Sequence, residues 1–334
     1  MSVSVLPSIH LNRYLEVFRK HLDDPLISEI CVNGSDGGYW IERSGAAALE
    51  FIEAPSINDS NLRQLAQMLA SNTGQSINKE KPLLSCALPT GERVQVVFPP
   101  VSPNGVALSI RKQVVRMLSL DQFAALGAFA QVGLVTDTSV KESDPELCGM
   151  LKTGLYMEFI IKAAQKRKNI IISGGTSTGK TTLLNAVLQC IGPSERIITI
   201  EDTAELQPPQ QNRLSLLASK GEQGVAKVTI QDLLEASLRL RPDRILLGEL
   251  RGKEAYTFLR AINTGHPGSV TTVHADNPHA AIQQVALMVQ QGDIKMTHDQ
   301  ILSYIHSIVD VIIQLSRVNG KRIVSHVWYS GYQE

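Results

Sequence analysis

Apolar and polar positions alternate in two different styles along this chain, and the style changes near residue 150. Residues 9–21 space their apolar side chains as one face of a helix, and residues 27–32 follow as a strand. The turn-rich Asn33-Gly34-Ser35-Asp36-Gly37-Gly38 then leads into Tyr39-Trp40-Ile41-Glu42, which is a hairpin signal. Leu62, Leu65 and Leu69 share one face of a second helix, with Asp59 or Ser60 as its expected cap. Val94, Val96 and Phe98 point to one side of a strand, as do Val106, Leu108 and Ile110 of the next.

From about residue 151 strand and helix signals take turns, the pattern of a parallel sheet with helices on both faces. Residues 168–173 read as a buried strand and residues 180–190 as the helix after it. Between the two regions, residues 113–150 are less regular: Ser119 and Asp121 open a short helix, and residues 139–146 are polar. The expected organisation is therefore a smaller mixed α/β amino-terminal domain over 1–112, a linker over 113–150, and an α/β domain over 151–334 built on a mainly parallel sheet.

Composition narrows the function. At 334 residues the chain exceeds the usual single domain, and 43% hydrophobic residues supply two cores. Lysine plus arginine equals aspartate plus glutamate at 32 each, so no net positive field favours nucleic acid, and no direct nucleic-acid binding is expected. Cys31, Cys86, Cys148 and Cys190 form no CxxC pair and read as small buried hydrophobes. The first twenty residues meet charge before a signal-peptide core can form, and no uncharged apolar run reaches the roughly 20 residues that span a bilayer. The expectation is a cytoplasmic protein that docks on a membrane complex.

The strongest chemical signal is Gly174-Gly175-Thr176-Ser177-Thr178-Gly179-Lys180-Thr181, followed by Thr182. It fits the P-loop pattern G-x-x-x-x-G-K-[ST]. Glycines let such a loop curl so that backbone N–H groups face phosphate oxygens, and the next helix adds the positive end of its dipole. Lys180 then serves the β- and γ-phosphates and the Thr181 hydroxyl a magnesium ion. A chance glycine-rich turn would not need to sit between a strand and a helix, as this one does.

Two acidic positions lie downstream. Residues 197–200 are a buried strand with Glu201, Asp202 and Glu205 at its carboxyl end, where open α/β sheets hold ligands. A solvated strand-end turn capped by Asp202 is the plainer alternative. Residues 231–240 read as a helix, and residues 244–249 after it form an apolar strand ending in Gly248-Glu249, the form of a Walker B strand, so that Glu249 holds magnesium through water or polarises the attacking water. Residues 265–275 carry His266 and His274 at opposite ends of a short strand, with His274 placed as a γ-phosphate sensor. Structural histidines are the alternative. A zinc site built from His266, His274, Asp276 and His279 fits no common spacing and gains no cysteine.

These motifs, in this order, resemble the secretion ATPase superfamily, and more closely the VirB-type traffic ATPases of type IV secretion and conjugation systems. The likeness extends to residues 29–34, 88–95, 109–112, 240–244, 248–252, 286–291 and 309–314, nearly the whole chain. The resemblance implies a RecA-like carboxy-terminal domain, a homo-hexameric two-tiered ring, inner-membrane secretion-complex partners, and ATP with Mg2+ between the domains. It also implies that Arg93 and Arg111 reach the nucleotide phosphates, although both lie on strands whose opposite face is apolar and can equally be solvated. Arg239 and Arg241 either act across a subunit boundary or pair on the surface. One departure stands out: Ser177 replaces a glycine common in the family, and the loop keeps its shape if Ser177 holds φ below zero.

The expected function is thus a P-loop ATP hydrolase that drives substrate translocation or pilus assembly in a type IV secretion system. A nucleic-acid-dependent RecA-like motor and a docking ring with little hydrolysis are the alternatives. The expected metal ligands are Thr181, Glu249 and Asp202. Glu249 or Glu201 is the base, beside Lys180; the sequence leaves that choice open.

Overall fold

A computed structural model of the protein describes residues 9–112, 143–218, 227–319 and 321–332. The first of these stretches folds as α1 (Ile9–Asp23), β1 (Ile27–Asn33), β2 (Gly38–Arg43), β3 (Glu50–Glu53), α2 (Asp59–Asn72), β4 (Leu83–Ala87), β5 (Arg93–Val97) and β6 (Ala107–Arg111). Its strands form an antiparallel sheet in the order β3-β2-β1-β6-β5-β4. The predicted alternation is what packs it. Val94, Val96, Leu108 and Ile110 face the apolar sides of α1 (Leu11, Leu15, Phe18) and α2 (Leu62, Leu65, Leu69).

The cap of α2 differs from expectation. Asn58, not Asp59 or Ser60, stands outside the helix in extended geometry and accepts from Asn61 N at 2.9 Å. Asp59 is drawn elsewhere: its carboxylate takes the Val106 N–H at 3.0 Å, anchoring the start of β6.

The rest of the chain adds α3 (Pro145–Lys152), α4 (Tyr156–Gln165), β7 (Ile170–Gly174), α5 (Lys180–Leu188), β8 (Ile197–Glu201), β9 (Arg213–Leu217), α6 (Ile230–Ser237), β10 (Arg244–Leu247), α7 (Glu254–Asn263), β11 (Val270–Val273), α8 (Pro278–Gln290), α9 (His298–Ile308), β12 (Val311–Val318) and β13 (Lys321–Tyr329). The sheet order is β13-β12-β7-β11-β10-β8-β9, parallel except for the β12–β13 hairpin. Period-two alternation splits its side chains between two faces. Ile170 and Ile172 meet Leu147 of α3, Phe159 of α4 and Leu184 of α5. Ile171, Ile198 and Leu247 meet α6 to α9 through Leu233, Phe258, Val285 and Ile305. This is the mainly parallel, helix-covered α/β fold that the motif order implied.

Two element boundaries shift, and a third predicted element lies outside the described residues. The helix expected over 231–240 ends at Ser237, because the chain turns sharply into β10 with Arg241 at φ +54°. The predicted short helix at Ser119 and Asp121, with most of the 113–150 segment, lies outside the described residues. Residues 145–152 belong to α3, whose Leu147 is fully buried, so the end of that segment contributes to the carboxy-terminal core.

The two units meet through polar contacts at the amino-terminal ends of β8 and β9 and just before β10, and through apolar contacts of Val97 and Val101 along β9, where Leu217 N donates to the Val101 carbonyl at 2.8 Å. Arg196, fully buried, donates to Asn33 Oδ1 at 2.7 Å and to the Leu240 carbonyl at 3.0 Å. Asn33 Nδ2 donates to Asn212 Oδ1 at 3.0 Å. Arg241 pairs with Glu42 and with Asp243, and Arg239 donates to Ser85 Oγ at 2.7 Å.

Candidate nucleotide-binding site

Strands that run parallel deliver the residues following them to one edge of the sheet. Here β7, β11, β10 and β8 are neighbours in that order, so the P-loop, His274, Glu249 and Glu201 arrive side by side. They line one cleft of about 360 Å³, together with Thr176 to Thr182, Asp202, Glu205, Thr272, Arg251 and Arg322.

The P-loop curls between Gly174, the last residue of β7, and Lys180, the first of α5. Gly179 caps the helix at φ +96°, a left-handed conformation that favours glycine. Gly174 has no room for a side chain, since a Cβ there would meet the Leu315 carbonyl at 2.8 Å. Ser177 takes φ +60°, against the expectation that it stays negative. The loop shape dictates that angle, so serine occupies a left-handed site that glycine fills without steric cost.

Lys180 is nearly buried. Its Nζ donates to the Gly174 and Gly175 carbonyls at 2.9 and 3.0 Å and stands 3.3 Å from both ring nitrogens of His274. Burial holds the Lys180 pKa below the usual lysine range, opposed by the negative charge of Glu249.

The acids divide by environment. Glu249 bridges His274 and Arg251: Oε1 lies 2.8 Å from His274 Nε2, and Oε2 accepts from Arg251 Nη2 at 2.7 Å and Nε at 2.9 Å. Asp202 Oδ2 accepts from Arg251 Nη1 at 2.5 Å. Glu201 is buried. Its Oε1 accepts from the Glu205 and Leu206 N–H groups at 2.9 Å each, while Oε2 is buried with no hydrogen-bond partner. Burial raises the Glu201 pKa, and the two N–H bonds only partly offset that.

Thr181, Asp202 and Glu249 all face this cleft, and their hydroxyl and carboxylate oxygens are hard donors that suit magnesium. Among the described residues no trio of His, Cys, Asp or Glu converges on a point that would cage a metal.

Other expected site residues lie elsewhere. His266 is outside the cleft, with Nδ1 3.0 Å from the Pro242 carbonyl and its pKa lowered by burial. Arg93 and Arg111 are register partners on β5 and β6, and they line a different cleft of about 410 Å³ with Ser85, Gln95 and Arg239. The amino-terminal unit meets the amino-terminal ends of β8 and β9 and runs along the edge strand β9, where Leu217 N donates to the Val101 carbonyl at 2.8 Å, and neither arginine lines the chain's own P-loop cleft. Two cations in the P-loop cleft escaped motif reading. Arg251 lies two residues after Glu249, a local signal that was available. Arg322 reaches the Ser177 carbonyl at 3.2 Å from β13, by strand pairing rather than by any local pattern. Arg244, read only as the start of a strand, is fully buried and forks onto Glu195 with two bonds of 2.7 Å.

A P-loop cleft on a helix-covered parallel sheet, preceded by an antiparallel domain, defines a two-domain RecA-like ATPase fold. The chain belongs to the family described as Type II/IV secretion system protein, whose profile matches residues 15–326. It is 38% identical over 333 residues to the type IV secretion system protein VirB11 of Bartonella henselae, covering 96% of this chain and 93% of that one. It is 36% identical over 324 residues to the type IV secretion system protein PtlH of Bordetella pertussis, covering 95% and 94%. Among solved structures it is similar to the VirB11 ATPase of the Brucella suis type IV secretion system in complex with sulphate. That match has a TM-score of 0.88 and 36% identity, over 96% of this chain and 97% of that one. Among the described residues no helix is long and apolar enough to cross a membrane.

Proposed function

We propose that this protein hydrolyses ATP as one subunit of a homo-hexameric motor that powers substrate translocation or pilus assembly in a type IV secretion system. In this reading it works in the cytoplasm against inner-membrane components of the secretion complex. One observation carries the proposal: the carboxyl ends of β7, β11, β10 and β8 bring Lys180, His274, Glu249 and Glu201 into a single cleft with the P-loop. Such catalysis is mainly positioning and electrostatics. The backbone N–H groups from Gly175 to Thr182 take the phosphates, and Lys180 exchanges its loop carbonyls for β- and γ-phosphate oxygens. Bound magnesium supplies charge neutralisation at those oxygens; Thr181, Asp202 and Glu249 are the residues that would hold it. Glu249, with His274 against one oxygen, orients the attacking water and takes its proton.

The likeness to secretion ATPases supports the division into units at 1–112 and 151–334 joined by 113–150, with residues 145–150 of that joint packed on the carboxy-terminal unit as part of α3. Arg93 and Arg111 keep a phosphate-facing role in this reading, delivered across a subunit boundary, because within one chain they line another cleft.

The test is magnesium-dependent ATP hydrolysis over a range of protein concentration, with light scattering for mass and Lys180→Ala as control. Turnover per subunit should rise as hexamers form and vanish in the variant. Mixing Lys180→Ala with Arg93→Ala subunits should restore part of the activity. Full turnover from monomers would remove the ring from the reading.

A further inference from the structure

Arg251 holds two acids at once. Its guanidinium spans Glu249, just after β10, and Asp202, just after β8, with contacts of 2.7 and 2.9 Å to the first and 2.5 Å to the second. Both carboxylates face the P-loop cleft, and both are expected to steady the nucleotide's cation. An arginine fork suits this task, because it stays charged and offers donors along two edges.

The backbone beneath it is fixed. Leu250 N donates to the Thr272 carbonyl at 2.9 Å, and Arg251 N and Gly252 N donate to Glu254 Oε1 at 2.7 and 2.8 Å. Only the side chain is free to move, and 63% of it is exposed. It can therefore leave the two acids without disturbing β10 or α7. An ordinary surface ion pair engages one carboxylate. This one joins two acids from different strands, in the place where a divalent cation would draw them together.

We propose that Arg251 is a tethered cation that competes with the divalent metal for Glu249 and Asp202, keeping these acids neutralised and aligned until metal and nucleotide arrive together. The inference deepens the ATPase reading and rests on it for the identity of the metal-holding acids. Arg251 is then a positioning residue. While it holds Oε2 of Glu249, Oε1 stays directed at His274. When it withdraws, Glu249 Oε2 and the Asp202 carboxylate are left available to hold a cation, while Oε1 keeps its contact with His274. The arrangement disfavours metal binding without nucleotide, since a bare cation must displace the guanidinium without the help of phosphate oxygens.

The test reads metal binding directly, without turnover. Mn2+ affinity is measured by electron paramagnetic resonance on the full-length, nucleotide-free protein, comparing wild type with Arg251→Gln, Arg251→Lys and Arg251→Gln/Asp202→Asn. Removing one partly exposed competitor should tighten Mn2+ binding roughly fivefold in Arg251→Gln. Arg251→Lys, which keeps the charge but loses the fork, should fall between. Deleting Asp202 as well should cancel the gain. With matched melting curves, unchanged or weaker Mn2+ binding in Arg251→Gln would overturn the proposal. A wild-type protein that fails to hydrolyse ATP would defeat the ATPase reading instead, and leave the metal measurement to stand on its own.

Discussion

His274 Nε2 lies 2.8 Å from Glu249 Oε1, a contact between residues that follow adjacent strands of the parallel sheet. It fixes one carboxylate oxygen while Arg251 fixes the other, so Glu249 presents a defined face to the cleft. Removing its charge should slow the chemical step more than binding. Glu249→Gln is expected to lower kcat about 100-fold with KM near the wild-type value. Glu201→Gln should give a smaller fall, because that acid is buried and turned onto backbone N–H groups. Steady-state kinetics of both variants decide it, and full turnover in Glu249→Gln would remove it as the base.

Ser177 at φ +60° sets up a second prediction. Serine tolerates the left-handed region at some cost, glycine occupies it freely, and a β-branched residue is an outlier there. Ser177→Val should therefore destabilise the loop by about 1–3 kcal/mol and weaken nucleotide binding. Ser177→Gly should keep or improve affinity. Titration with a fluorescent nucleotide measures both, and equal affinities for valine and glycine would show that the angle is not imposed by the loop.

The site was legible where its residues sit in strand–loop–helix units. Lys180, Thr181, Glu201 and Glu249 each follow a short apolar run, and parallel pairing guarantees that such positions share an edge. Placement by long-range pairing left no local trace. Arg322 enters the cleft because β13 folds back on β12, and nothing near residue 322 signals it. The edge strands β3, β4 and β9 also escaped reading. The exposure of β3, for example, removes the alternation that marks a half-buried strand. The cap at Asn58 was missed because three polar residues in succession qualify, and the requirement at Val106 decides among them. Arg93 and Arg111 show the opposite limit, since motif position placed them by family and the docking of the two sheets sets where they stand in one chain.

Glu201 gives a stability prediction with a definite sign. Burial raises its folded pKa above the ordinary carboxylate value, so the folded state favours the protonated acid and ionisation costs stability. Below the unfolded pKa, about 4.3, both states are protonated and no penalty applies. As pH rises from there through the folded pKa, the penalty sets in. Glu201→Gln should then raise stability at pH 7 by about 1 kcal/mol, with the gain disappearing near pH 4. Denaturant unfolding at the two pH values tests this. A gain that is equal at both would trace to packing rather than to charge.

Arg241 and Glu42 join the two sheets with both side chains largely out of water, 23% and 29% exposed. Burial alone would raise the Glu42 pKa, but hydrogen bonds from Arg241 and Ser28 outweigh it and hold the carboxyl below its ordinary range. The sign is opposite to that of Glu201. The stabilisation is present above the unfolded pKa and is lost as pH falls through the lower folded value. A double-mutant cycle with Glu42→Ala and Arg241→Ala should show a coupling of about 1 kcal/mol at pH 7, reduced by salt to the extent that water reaches the pair. The same cycle should show a coupling that declines as pH falls below the ordinary carboxylate range and through the lowered folded value. Because Arg241 also pairs with Asp243, a single Arg241→Ala change will cost more than the coupling itself, and only the cycle isolates the contact between sheets. If the coupling is absent at neutral pH, the docking of the two sheets rests instead on Arg196 with Asn33 and on the apolar contacts of Val97 and Val101.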